Sequence, residues 1–95
     1  MYLVVDAQLH GTGIRDYYNG GFINPNDLNL SIVTVQRINK WLAKYEEEHY
    51  NSYTNDVSII ELDAEGKEIA LSIKNEIVDV KVVYFSDARM ASEMI

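Results

Sequence analysis

The sequence predicts a small α/β sandwich, one domain over residues 1–95, running strand, ribbon, helix, helix, strand around a short, partly parallel sheet. Three observations predict it. Tyr2–Ala7 and 78–85 are runs of mostly apolar, β-branched residues of strand length. Between them lie two stretches whose apolar residues recur at three- and four-residue steps, the period of a helix. Two apolar strands joined through helices favour parallel pairing by a crossover. A chain of 95 residues supports one modest core.

The first strand, Tyr2–Ala7, has no polar alternation until Asp6, so it suits the middle of a sheet better than an edge. Gln8–Asn29 is polar and holds four of the five glycines and the only proline. Within it, Asn19-Gly20 is a hairpin signal flanked by Tyr17-Tyr18 and Phe22-Ile23, which predicts a ribbon from Ile14 to Ile23. Asn24–Asp27 is a turn. Ser31 caps a helix from Ile32 to about His49, with Val35, Ile38, Leu42 and Tyr45 as its apolar stripe and Trp41 beside them. Arg37, Lys40 and Lys44 lie opposite. A linker, Tyr50–Asp56, leads to a second helix from about Ser58 to Ile77.

The stripe of that helix is Ile59, Leu62, Gly66, Ile69, Ala70, Ile73 and Ile77. Gly66 costs ~1 kcal/mol against alanine in a helix interior, which predicts a close approach of the first helix, against Trp41. A neighbouring face carries Glu61, Glu65, Glu68 and Glu76, and a third shows Ile60, Ala64 and Leu71, leaving room for a second copy of the chain. Val78–Phe85 is the last strand. Ser86–Ile95 reads as a flexible polar tail or a short terminal helix.

Charge narrows the function classes. Eight of the fifteen acidic residues fall between Glu46 and Glu68, a window with one base, Lys67; elsewhere seven acids face seven bases. The net charge of −7 is therefore local. Such a surface attracts a basic protein and repels nucleic acid and anionic membranes. The Glu46, Glu47 and Glu48 cluster sits at a helix C-terminus, where the dipole disfavours negative charge, so a partner is one reason for it. Tyr50 and Tyr53, with Asp56, add contact area beside Glu61, Glu65 and Glu68; Asp16, Tyr17 and Tyr18 form a second candidate contact in the ribbon. Tyr45 and Tyr84 read as core residues with a wet hydroxyl end.

No apolar stretch reaches the ~20 residues that span a bilayer, and the N-terminus has no basic region before its apolar run, so the cytoplasm is the expected compartment. There is no cysteine, hence no thiolate site. His10-Gly11-Thr12-Gly13 follows a strand but lacks the rest of a nucleotide or hydrolase motif. Asp6, His10 and Asp16 near one sheet edge form the only alternative site, for a small enzyme or ligand-binding domain; the plainer reading is a capping aspartate and a solvated one. His49, after three glutamates, reads as a solvated helix-end residue. No cofactor or metal set is expected.

Gly11–Asp16, then Gly20-Gly21-Phe22-Ile23, then Leu28–Ser31 opening a helix with Trp41 and Tyr45, resembles small bacterial immunity proteins. The run Glu61–Gly66 and the closing Val83-Tyr84-Phe85-Ser86 are similar too. That family neutralises polymorphic toxins, including those of contact-dependent growth inhibition. The resemblance implies a cytoplasmic, non-catalytic inhibitor that binds the C-terminal domain of a cognate toxin, often a basic nuclease, with no direct contact to nucleic acid or membrane. A phage-type acidic mimic of nucleic acid shares the same electrostatics.

Overall fold

The computed structural model describes residues 1–95. Its elements are β1 (Tyr2–Asp6), β2 (Gly13–Asp16), a 3-10 turn (Pro25–Leu28), α1 (Ile32–Tyr50), α2 (Asp56–Glu76), β3 (Lys81–Ser86) and β4 (Ala91–Met94). The four strands form one sheet in the order β2-β1-β3-β4. β1 pairs parallel with β3, as the crossover argument requires, and antiparallel with β2; β4 pairs antiparallel with β3. β1 is thus interior, and Asp6 ends an inner strand and not an edge.

Four expectations change at their boundaries. Only the first arm of the Ile14–Ile23 ribbon becomes a strand. It joins β1, and the second arm keeps a single bridge, Arg15 to Phe22. α2 begins at Asp56 because the Asn55 side chain accepts from the Ser58 amide, so Asp56 belongs to the first turn and not to a linker. β3 starts at Lys81 because Asp79 takes φ 58° and Val78 turns outward. Ser86–Ile95 is neither tail nor helix. A turn with Met90 at φ 54° brings β4 back along β3, and the Ile95 amide donates to the Val82 carbonyl.

Both helices pack on one face of the sheet. Ser31 caps α1 by accepting from the Thr34 amide, and the Glu76 carboxylate reaches across to the Ser31 amide at 2.6 Å. That ties the end of α2 to the start of α1. Between sheet and helices lies the core: Leu3, Val5 and Val82 below, Ile38, Trp41 and Tyr45 from α1, Ile69, Ala70 and Ile73 from α2. Trp41 is completely buried and donates its indole N–H to the Leu62 carbonyl at 2.9 Å. Burying it removes ~200 Å² from water, several kcal/mol of driving force.

Gly66 sits where the sequence places it, against Trp41. A Cβ there would lie 2.9 Å from the indole and closer still to the Tyr84 ring. The close approach is therefore to β3 as well as to α1. The hydroxyls of Tyr45 and Tyr84 are not wet: both donate to Asp63 Oδ1, at 2.9 and 2.6 Å, and Ser86 Oγ donates to Oδ2 at 2.8 Å. Alternate strand residues, Val4, Asp6, Arg15, Val83 and Phe85, lie on the sheet face away from the helices.

Candidate functional site

The loop of residues 51–55 is short and sharply turned, with Ser52 and Tyr53 at φ 57° and 55°, so α1 and α2 run antiparallel. The C-terminal half of α1 therefore lies beside the N-terminal half of α2. Glu61 and Glu65 are one helical turn apart and share a face. They meet Glu47 and Glu48 across a cleft of about 370 Å³, completed by Lys44, Ser58 and Leu62. Four carboxylates and one ammonium leave three net negative charges. Lys44 reaches Glu65 only at 3.9 Å, with its own side chain largely in solvent. Such a pair is worth little. Glu48 Oε1 is shielded from water and accepts no hydrogen bond.

The other acidic residues are used differently. Glu46 points to the opposite flank of α1, above the loop at Gly11. Glu68 pairs with Arg37 at 3.1 Å, and Asp56 with Arg89 at 3.1 Å. Glu76 leaves the acidic face altogether. Desolvation alone would raise its pKa, but hydrogen bonds from Thr34 and Ser31 outweigh that and lower it. The expected stripe of four glutamates is thus two residues in the cleft, one in an ion pair and one at a helix terminus.

Tyr50 is exposed beside the His49 ring. Tyr53 is half-buried and packs edge-on against Tyr45. Its hydroxyl donates to Asp87 Oδ2 and meets His49 Nδ1, both at 2.8 Å, so its polar end is already spent within the chain. Burial first, then the bond to Asp87, pushes the Tyr53 hydroxyl well above its usual pKa. His49 is accordingly a bonded residue and not merely a solvated helix end. Tyr17 and Tyr18 lie far from the cleft, on the open sheet face. Tyr17 stacks on Tyr2 with centroids 3.9 Å apart, and Tyr18 meets both rings edge-on.

The alternative set, Asp6, His10 and Asp16, does not assemble as one group. Asp6 and His10 line an open hollow of about 750 Å³ at the carboxyl ends of β1 and β3, while Asp16 lies outside it and accepts from the Tyr18 amide in an exposed turn. Asp6 is 2% exposed. It accepts from the Gln8 amide at 2.9 Å and from Arg15 Nε at 2.8 Å, the capping role expected of it plus an ion pair. No three His, Asp or Glu side chains converge on a point that one metal ion could occupy. This hollow is larger than the helical cleft, so charge and not size distinguishes the latter.

Sequence reasoning missed Arg15, Asp63 and Asp87 as partners of these groups. For Arg15 a signal existed, since an arginine alternating with Ile14 in a ribbon beside a strand ending in Asp6 can form a diagonal pair. Asp63 and Asp87 find their partners only through the packing of α2 on β3. No family model matches the chain, and no curated protein or solved structure matches it significantly.

Proposed function

We propose that this chain is an inhibitor of the immunity type, which neutralises a basic toxin domain, a nuclease by the charge argument, in the cytoplasm of the cell that makes it. The observation that carries the reading is the convergence of Glu47, Glu48, Glu61 and Glu65 on one cleft with a single weakly held lysine. Four like charges held together by the fold repel one another, and a basic partner relieves that repulsion. Carboxylates spaced along a helix can occupy the positions where a nuclease holds substrate phosphates. No helix is long and apolar enough to cross a membrane.

The test is protection. The toxin domain encoded beside this gene is expressed in cells with the wild-type chain or with Glu47→Lys/Glu61→Lys. Wild type should restore growth and the double variant should not, while both fold alike. Full protection by the double variant would move the interface off the cleft. The Tyr2, Tyr17 and Tyr18 cluster on the sheet would then be the surface to probe.

A further inference from the structure

The hollow at the carboxyl ends of the two parallel strands collects side chains from both strands, the ribbon and the end of α1. Ligands of α/β sheets bind outside the carboxyl ends of strands. We propose that this hollow binds a small anion that also carries an O–H group, a hydrogen phosphate or a hydroxycarboxylate. It shares no lining residue with the acidic cleft.

Arg15 forms the anion-binding wall. Buried Asp6 needs a cationic partner, and its Oδ1 is already taken by the Gln8 amide. Here Asp6 takes Nε alone. Both terminal Nη groups therefore have no partner in the chain, and the side chain remains 25% exposed. The guanidinium is fixed a second way, with its carbon 5.8 Å above the centre of the Phe85 ring. An arginine anchored at Nε and held near an aromatic ring can present its two Nη groups to two oxygens of an anion.

The same hollow also holds groups that accept protons. Tyr53 has one hydroxyl proton and gives it to Asp87 Oδ2. The 2.8 Å contact between Tyr53 and His49 Nδ1 is then donated by the histidine. That fixes the tautomer of the neutral ring and leaves Nε2 as an open acceptor. Asp87, His49 and His10 all line the hollow. A plain anion would satisfy only the Arg15 wall. A ligand that carries an O–H beside its anionic group can satisfy both sets of groups.

The experiment titrates the folded protein with inorganic phosphate, glycolate and acetate, reading the Arg15 side-chain and His49 ring signals by NMR. Phosphate or glycolate should give saturable shifts, with acetate, which lacks the O–H, binding more weakly. Phosphate ahead of glycolate assigns the phosphoryl class, and the reverse assigns the hydroxycarboxylate. Arg15→Lys keeps the charge facing Asp6 but removes the fork, and should weaken binding about tenfold. Because that change touches a buried pair, His49→Asn gives a second reading at a less buried position, and should erase the preference of glycolate over acetate. No saturable shift with phosphate or glycolate overturns the proposal, as does binding that both variants leave unchanged. Equal binding of glycolate and acetate by the wild type overturns the role of the O–H.

Discussion

At the scale of single residues, two positions hold the layers together. Gly66 lets α2 approach both Trp41 and Tyr84, so any Cβ must displace rings packed in the core. Alanine gains ~0.5–1 kcal/mol of helix propensity there, and overpacking costs ~1–3 kcal/mol. Gly66→Leu, with nowhere to put its side chain, should lose at least the upper part of that range in a urea titration. A variant as stable as wild type would mean that the helix is set off from the sheet. Asp63 collects three hydroxyl donors from α1 and β3. Asp63→Ala strands those hydroxyls and should cost about 2–4 kcal/mol by the same titration, with Asp63→Asn losing less.

The Asp63 cluster also sets an alkaline limit. Burial, then the bond to Asp63, holds the Tyr84 hydroxyl above its ordinary pKa of 10.0, and burial does the same for Tyr45. A folded pKa above the unfolded one gives stability that is complete below the unfolded value and is lost as pH rises beyond it. The melting temperature should therefore hold level through neutral pH and fall above about pH 10. Tyr84→Phe should blunt that fall; an equally steep fall in the variant would place the limit in other groups.

At the scale of elements, what was legible depended on how local the determinants were. Both helices and the Ser31 cap follow from periodicity and capping chemistry within the sequence. β1 and its parallel partner follow from two apolar runs and the crossover between them. β4 was illegible because its four residues are all exposed and its backbone pairs only with the edge of β3. The acidic cleft was legible as composition, but its membership was not. Whether Glu48 or Glu46 enters it depends on helix rotation, and Glu76 left it for the start of α1. That last bond has a consequence at low pH. Because the Glu76 pKa is lowered in the fold, its contribution is present above the usual 4.5 and is lost as pH falls through the lowered value. Glu76 is exposed, so Glu76→Gln should cost only ~0.3–1 kcal/mol at neutral pH and nothing in acid, read from thermal melts at both. An equal loss at both pH values would remove the charge from the account.

At the scale of the molecule, the chain is polarised. The helical layer carries the uncompensated cleft, while the far side of the sheet buries Val4 and Val83 and offers Tyr17 and Tyr18, with Lys81 against Tyr2. A field with one acidic pole steers a basic partner onto one orientation. Glu47 and Glu61 are exposed, so reversing them should cost within ~0.5 kcal/mol each in stability while removing most of the steering. The most direct measurement is the affinity and association rate of the purified cognate toxin domain, by calorimetry and surface binding, at two salt concentrations. Exposed charges are screened over ~8–10 Å at near-physiological ionic strength. The account predicts that wild-type association slows and affinity weakens as salt rises, and that Glu47→Lys/Glu61→Lys associates slowly at both concentrations. Affinity indifferent to salt, or a double variant that binds as fast as wild type, would contradict it.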